Sequence, residues 1–173
     1  MSIFKPDSYY VSIFDINYNK LKKQGIFNIF MDLDNTISKV DKNIPNNKVI
    51  KLFEKLKKDG FNVIIFSNSF NNRVMKYADI LDVDYIANGF KPFLFKYKKV
   101  CFEKKIKKNE VCMIGDQFLT DIYGGNRFGI KTILVDPVST KDFVFTTFNR
   151  KLEKIIEKKL ANKNLFVRGE YYD

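Results

Sequence analysis

Short apolar runs rich in β-branched and aromatic residues alternate along this chain with stretches whose apolar residues recur at helical spacing. The runs predict strands at residues 26–31, 62–66, 84–87, 111–114 and 131–135, and the stretches between them predict helices at residues 46–59, 72–81, 93–106 and 120–128. This alternation, with only short breaks, is typical of a mostly parallel sheet covered by helices. We therefore expect an α/β fold with three layers, built on a doubly wound, Rossmann-like sheet of five strands.

The length of 173 residues suits one domain. We expect residues 1–173 to form that single domain, with its core at about 26–136. The N-terminal segment 1–25 and an amphipathic C-terminal helix at about 147–161 are expected to be appendages of this core.

The chain contains no histidine. This excludes Ser-His-Asp and Cys-His catalysis and histidine-ligated metal sites, so covalent catalysis has to rest on carboxylates, lysines or hydroxyls. The two cysteines, Cys101 and Cys112, form no Cys-x-x-Cys pair, and no apolar run reaches the roughly 18–20 residues of a membrane-spanning helix. These features predict a protein of the reducing cytosol, and they leave open a peripheral contact with the inner face of the membrane.

Polar side chains follow the predicted strands at the points where these strands end. They are Asp32 and Asp34 after the first strand, Ser67 and Asn68 after the second, Lys91 after the third, and Asp116 and Asp121 after the fourth. The carboxyl ends of parallel strands lie at one edge of a sheet, and open α/β sheets bind ligands at that edge. Carboxylates, a hydroxyl, an amide and an ammonium group gathered there provide the partners that Mg²⁺ and a phosphoryl group require.

These residues belong to an ordered set of motifs: Asp32-Leu33-Asp34-Asn35-Thr36, Ser67, Lys91-Pro92 and Gly115-Asp116-Gln117-Phe118-Leu119-Thr120-Asp121. The set resembles the haloacid dehalogenase-like (HAD) phosphatase superfamily over about residues 27–135. A closer likeness, to the capless (subclass III), YqeG-like group, is carried by Gly124-Gly125-Asn126-Arg127 and Phe148-Asn149-Arg150-Lys151. Relatives of that group include phosphatidylglycerophosphate phosphatases. Ser69 departs from the group, which more often has Asn at this position.

The resemblance implies a role for each carboxylate of the first and fourth motifs. Asp32 would be the nucleophile that forms an aspartyl-phosphate. Asp34 would be the general acid and then the general base, and would approach the metal through its backbone carbonyl. Asp116 would bind Mg²⁺ directly, so that Asp32, Asp34 and Asp116 form the expected metal site.

The resemblance also implies which residues hold the phosphoryl group. Ser67 and Asn68 would bind its oxygens, and Lys91 would neutralise charge on the nucleophile and on the transferred group. Asp121 would orient either Lys91 or a metal-bound water. No role follows for Asn126 or Arg127.

The intervals from Thr36 to Ser67 and from Asn68 to Lys91 are too short to hold the cap domain by which related enzymes select substrates. We therefore expect an open site, suited to a lipid headgroup, a protein or a polynucleotide end. Between Lys91 and Glu110, eight lysines stand against two glutamates, which indicates either an anionic partner or a solvated helix face.

Aromatic residues near both ends of the chain, among them Tyr9, Tyr10, Phe143, Phe145 and Phe148, could rest on an anionic membrane or pack onto the domain. The favoured function is Mg²⁺-dependent hydrolysis of phosphatidylglycerophosphate at the membrane surface. One alternative is a soluble small-molecule or protein phosphate as substrate. Another is an inactive module that binds lipid or nucleic acid, against which the complete motif set argues.

Overall fold

The computed structural model describes residues 2–139 and 146–173, with side chains from residue 151 onward in the second range. The strands are β1 Ser8–Tyr10, β2 Asn28–Met31, β3 Asn62–Phe66, β4 Asp84–Ile86, β5 Val111–Gly115 and β6 Lys131–Val135. They form one sheet in the order β1-β6-β5-β2-β3-β4. Every neighbouring pair is parallel, as the alternation of strands and helices predicts.

The helices are α1 Tyr18–Lys23, α2 Asn47–Lys58, α3 Asn71–Leu81, α4 Phe95–Glu103, α5 Tyr123–Phe128 and α6 Thr146–Ala161. A π-helical turn, Phe118–Ile122, precedes α5 and divides the stretch predicted as one helix. In α5, a Cβ at Gly125 would lie 2.6 Å from Cγ2 of Thr132, so only glycine allows the helix to pack this closely against β6. Across the two described ranges, no helix combines the length and the apolar character needed to cross a membrane.

The sheet has six strands, and the prediction of five was therefore one strand short. The additional strand, β1, lies in the segment 1–25 that was expected to be an appendage. It pairs in parallel with β6, with Tyr9 opposite Leu134, and Tyr9 is fully buried. A strand of three residues is too short for an alternating pattern to be recognised in the sequence.

The core lies on both faces of the sheet because successive side chains of each strand point to opposite sides. On β2, Ile29 and Met31 pack into the cluster that contains α2 and α3, whereas Phe30 packs into the opposite cluster beside Tyr97 of α4. The chain passes from β2 to β3 on one side and reaches β5 on the other. The end of β2 therefore lies at the position where the strand order reverses, which is the usual ligand position in such sheets.

Both ends of the chain pack against the β1 edge of the sheet. Ile156 and Leu160 of α6 join Tyr9, Phe118 and other apolar residues in a third buried cluster. Tyr172 adds a short antiparallel bridge to Tyr9, with backbone distances of 2.7 and 3.0 Å between the paired nitrogen and oxygen atoms. This covers the outer edge of β1, which would otherwise expose unpaired backbone groups. Phe143, Phe145 and the side chain of Phe148 lie outside the described residues.

Candidate active site

Asp32 follows β2 directly and extends its pairing with β5, since its backbone N–H donates to the carbonyl of Ile114 at 2.9 Å. The chain then turns sharply at Asn35, whose φ of 60° is left-handed, and the N–H of Asn35 donates to the carbonyl of Ser38. Asparagine tolerates this conformation better than most residues. The turn leaves the Asp32 side chain almost fully buried at the centre of the sheet's edge.

Lys91 lies between two carboxylates. Its Nζ is 2.6 Å from Oδ1 of Asp32 and 2.6 Å from Oδ1 of Asp121, and only 1% of its side chain is exposed. Burial alone would lower the pKa of Lys91, but the charges of Asp121 and Asp32 outweigh it and raise that pKa above its ordinary value. The group therefore remains an ammonium ion, which is the state that can neutralise an anionic substrate.

Asn68 holds the backbone of Lys91 in place. Its side-chain oxygen accepts from the N–H of Lys91 at 2.7 Å, and its side-chain nitrogen donates to the carbonyl of Lys91 at 3.0 Å. The resemblance implies that Asn68 binds the phosphoryl oxygens, and in the structure its side chain contacts the loop that carries Lys91.

Ser67 is buried at the end of β3, and its Oγ accepts from the N–H of Ser69 at 3.1 Å. Its carbonyl accepts from the N–H of Gly89 at 2.8 Å. A Cβ at Gly89 would lie 2.6 Å from the ring of Phe66 and 3.0 Å from that carbonyl, so glycine is needed for the two loops to meet. Ser67 thus lies on the same rim as Asp32 and Lys91.

Asp116 and Asp121 come from the loop that follows β5. Thr36 Oγ1 donates to Oδ1 of Asp116 at 3.1 Å, which links the first and fourth motifs. The Asp121 carboxylate folds back over Gly115, where a Cβ would lie 2.1 Å from Oδ2 of Asp121, and the same oxygen accepts from the N–H of Gln117. The glycine at the end of β5 therefore permits Asp121 to reach Lys91.

The carboxylates of Asp32, Asp116 and Asp121 form a buried cluster in which one oxygen of each lies within 4.8 Å of the others. Lys91 compensates one of these three charges. Burial, together with Asp121 and Asp34, raises the pKa of Asp32 to about 7 against the opposing effect of Lys91. Burial, together with the charges of Asp32 and Asp121, raises the pKa of Asp116 well above its ordinary value. A cluster of oxygen ligands with this excess of negative charge suits a hard divalent cation such as Mg²⁺.

Asp34 takes a different position from the other carboxylates. It accepts hydrogen bonds from Ser69 Oγ and from Nη1 of Arg73, and both side chains of the Arg73–Asp34 ion pair are largely buried. The structure thus gathers Asp121 with Asp32 and Asp116, while the Asp34 carboxylate points to α3. Its backbone carbonyl, not its carboxylate, was the group expected at the metal.

Sequence reasoning missed Arg73 and Glu153. Lysine supplies most of the positive charges in this chain. The use of arginine at position 73 was therefore the one sequence signal that could have marked this residue. Glu153 of α6 accepts from the N–H groups of Phe118 at 2.8 Å and Leu119 at 2.7 Å, at the start of the turn that carries Asp121. No local pattern marks Glu153, because its partners lie more than thirty residues away.

Asn126 and Arg127 have structural contacts. Asn126 donates to the carbonyls of Ile3 at 2.7 Å and Lys5 at 2.9 Å, and it accepts from Thr132 Oγ1 at 2.9 Å. The guanidinium of Arg127 lies over the ring of Tyr123 at 5.2 Å. Asn126 therefore ties the N-terminal segment to α5, away from the carboxylate cluster.

The chain is similar in sequence to known proteins. The pattern of the family described as HAD-hydrolase-like matches residues 89–142, which include Lys91, Asp116 and Asp121. "Probable phosphatase YqeG" of Bacillus subtilis (strain 168) is 38% identical over 160 residues, which are 92% of this chain and 93% of that protein.

Among solved structures, an uncharacterized protein from Listeria monocytogenes serotype 4b matches with a TM-score of 0.54 and 20% identity. The match covers 69% of this chain and 86% of that one, and it shows a shared fold. The interval from Thr36 to Ser67 holds a loop, α2 and β3, and the interval from Asn68 to Lys91 holds α3 and β4. Both intervals are fully described, and neither contains a further domain. The chain therefore belongs to the haloacid dehalogenase-like phosphatase superfamily, in the capless group that includes YqeG.

Proposed function

We propose that this protein is a Mg²⁺-dependent phosphomonoester hydrolase that works through an aspartyl-phosphate on Asp32. The observation that carries this proposal is the buried carboxylate of Asp32, 2.6 Å from the Lys91 ammonium and within the three-carboxylate cluster. A carboxylate in this setting is a nucleophile beside a fixed positive charge that can stabilise a transferred phosphoryl group.

In the first step, an oxygen of Asp32 attacks phosphorus, and the bond from phosphorus to the ester oxygen breaks. Asp34 gives its proton to the departing oxygen, which leaves as an alcohol. In the second step, Asp34 takes a proton from water, whose oxygen attacks the phosphorus of the aspartyl-phosphate. Asp32 is released as a carboxylate and phosphate departs, so the protein returns to its starting state.

The remaining residues hold the reacting groups. Asp32, Asp116 and the backbone carbonyl of Asp34 would hold Mg²⁺, which neutralises charge on the phosphoryl oxygens. The Ser67 hydroxyl would donate a hydrogen bond to one of these oxygens, with Asn68 positioned beside it. Asp121, 2.6 Å from Lys91 Nζ, would keep the ammonium directed at Asp32.

The proposed substrate is a lipid phosphate monoester, with phosphatidylglycerophosphate as the first choice, hydrolysed at the cytosolic face of the membrane. Two features support a bulky anionic substrate: neither interval of the chain holds a cap domain, and eight lysines lie between Lys91 and Glu110. A soluble phosphate ester or a phosphoprotein would use the same chemistry and is the alternative substrate class.

The first test compares phosphate release from phosphatidylglycerophosphate in mixed micelles with release from soluble esters, using wild-type protein and Asp32→Asn. We expect the lipid to be the best substrate and Asp32→Asn to lose at least about 10³-fold in rate. Asp15→Asn, at an exposed acidic position in the N-terminal segment, is the matched control and should keep full activity.

Activity retained in Asp32→Asn would refute the nucleophile. Equal and poor turnover of every ester would refute the lipid substrate. No turnover at all, with salt-dependent retention on RNA or DNA, would favour the inactive binding module instead.

A further inference from the structure

Four exposed phenylalanines lie near the carboxylate cluster, three in the segments between β3 and α3 and between β4 and α4, and one at the start of α4. They are Phe70, Phe90, Phe93 and Phe95, whose exposed fractions are 85%, 55%, 63% and 52%. We call these four residues the rim phenylalanines. Single exposed apolar residues are normal on a protein surface, but several large ones next to a ligand site indicate an interaction surface.

The contacts between the two loops place these residues together. The N–H of Asn88 donates to the carbonyl of Ser69 at 3.0 Å, so the chain just before Phe70 lies against the chain just before Phe90. The rings of Phe90 and Phe95 are 5.8 Å apart, and the N–H of Phe93 donates to the carbonyl of Phe90 at 2.8 Å. The two loops that carry Phe70, Phe90 and Phe93 also carry Ser67 and Lys91, which places the aromatic residues beside the site.

Two of the rim phenylalanines occupy positions that disfavour them locally. Phe70 is the N-cap of α3, where its side chain accepts no hydrogen bond and where Ser, Thr, Asp or Asn is preferred. Phe90 has a left-handed backbone with φ of 53°, which a bulky residue rarely adopts. Burial does not offset the local cost of Phe70 or of Phe90, because both side chains are exposed. These two residues therefore point to a role other than stabilising the fold.

The charge around the rim phenylalanines identifies the kind of partner. Residues 87–102 contain four lysines and no acidic residue. Lys91 is buried in the site, and the other three, Lys96, Lys98 and Lys99, lie in α4 beside Phe95. Aromatic residues next to lysines are the features that bind the headgroup region of an anionic bilayer. A second copy of this chain would bring the same lysines against one another.

We infer that the rim phenylalanines and the lysines of α4 form a docking surface for an anionic phospholipid bilayer, which places the carboxylate cluster against the headgroups. The inference deepens the proposed lipid substrate and names the surface that meets it. Of the two alternatives for the aromatic residues near the chain ends, Tyr9 follows the second, because it is buried under α6 and the C-terminal residues.

The test is cosedimentation of the full chain with phosphatidylcholine vesicles, with and without added phosphatidylglycerol. We expect binding to the phosphatidylglycerol vesicles and a decrease of that binding with added salt. The double variant Phe70→Ser/Phe93→Ser should bind about tenfold less. Phe70→Ser introduces a preferred N-cap residue, so loss of folding is not expected to account for the loss of binding, and thermal unfolding checks this.

Ile80→Ser is the matched control, because Ile80 is 45% exposed but lies near the end of α3 far from Phe70, on the opposite face of the sheet from the lysines of α4. It should bind within about twofold of wild type. Wild-type protein that does not bind, a double variant that binds as well as wild type, or an equal loss in Ile80→Ser would each overturn the inference. Concentration-dependent self-association that the double variant abolishes, without vesicle binding, would overturn it in favour of a second copy.

Hydrolysis of a soluble aryl phosphate separates this inference from the proposed function. The double variant should hydrolyse that ester at the wild-type rate, since the proposed mechanism gives neither Phe70 nor Phe93 a role. Vesicle binding without hydrolysis would refute the proposed function alone. Hydrolysis without vesicle binding would refute the docking surface alone.

Discussion

The carboxylate of Asp34 is held from two directions by Ser69 and Arg73. The same guanidinium donates to the carbonyls of Lys42 and Lys39, each at 3.0 Å, so one side chain ties α3 to the loop that follows the nucleophile. A general acid must present its proton at a fixed place near the leaving group. We therefore expect Arg73 to act as a positioning residue for Asp34.

Arg73→Ala should slow the hydrolysis of alkyl phosphates by about 10- to 100-fold. Aryl phosphates should slow by less than about threefold, because their leaving groups depart without a proton. The measurement is kcat for a matched alkyl and aryl pair of esters.

Arg73→Lys is the control for Arg73→Ala, since it keeps the charge beside Asp34 but loses the fixed geometry of the guanidinium. It should recover part of the alkyl-phosphate rate. An equal loss on both esters would show that Arg73 only stabilises the fold.

The candidate site was predictable from the sequence where its residues directly follow strands. Asp32, Ser67 and Asp116 do so, and Lys91 reaches the same edge from the loop after β4. Arg73 and Glu153 were not predictable in this way, because each reaches the site from a helix whose orientation only tertiary packing determines. The side-chain amide of Asn68 pairs with the Lys91 backbone, a contact that no sequence pattern encodes.

At the scale of elements, α6 acts on the site through one side chain. Glu153 caps the first two N–H groups of the π-helical turn, and this turn carries Asp121. Burial raises the pKa of Glu153 from 4.5 to about 7, against the lowering effect of the hydrogen bonds from Leu119 and Phe118. In the folded protein, Glu153 thus keeps its proton over a pH range in which the unfolded chain has lost it.

The free energy of unfolding should therefore decrease, through Glu153, as the pH rises from about 4.5 to about 7. The change is about 2–3 kcal/mol, because one pKa unit corresponds to about 1.4 kcal/mol. Glu153→Gln, which cannot ionise, should give a flatter profile than wild type over this range. Urea denaturation at several pH values measures the difference.

Glu157→Gln is the matched control on the same helix, where the carboxylate pairs with Arg168 outside the site. It should leave the slope of wild type over this range unchanged. Parallel profiles for wild type and Glu153→Gln would contradict the assigned titration.

Long periodic elements were predictable, and short or irregular ones were not. The bounds of α2 and α3 agree with prediction to within about a residue at each end. For α2, Asn46 caps the first turn, its side-chain oxygen accepting from the N–H of Val49, and Gly60 follows its end with φ of 88°. The three-residue β1 and the π-helical turn carry no such signals, because their conformations depend on partners distant in sequence.

At the scale of the whole molecule, the charge is divided between surface and site. The chain has a formal net charge of +11, yet three buried carboxylates share a single buried ammonium group. A positive exterior raises the local concentration of anionic substrates. The excess negative charge inside is what a divalent cation would balance.

Mg²⁺ should therefore raise the unfolding temperature, because it binds the folded cluster and has no comparable site in the unfolded chain. At a hundredfold excess over its dissociation constant the gain is about 2.7 kcal/mol, or roughly 5–10 °C for a protein of this size. Thermal unfolding in Mg²⁺ and in EDTA measures the rise.

Asp116→Asn should remove most of this rise. In EDTA the same variant should unfold at the wild-type temperature or above it, because it relieves repulsion among the three carboxylates. Asp84→Asn, which changes an exposed carboxylate paired with Lys104, should respond to Mg²⁺ as wild type does. A full Mg²⁺ response in Asp116→Asn would exclude the cluster as the metal site.

The pairing of β1 with β6 limits when this edge of the sheet can form during synthesis. The backbone of Asp7 meets Thr132 across 125 positions of sequence, and Tyr9 also pairs with Tyr172. β1 is therefore synthesised well before its partner β6, and it stays unpaired until residues 131–135 have also left the ribosome. We expect this edge of the sheet to close after β6 has been synthesised, with Tyr9 and Tyr10 exposed until then.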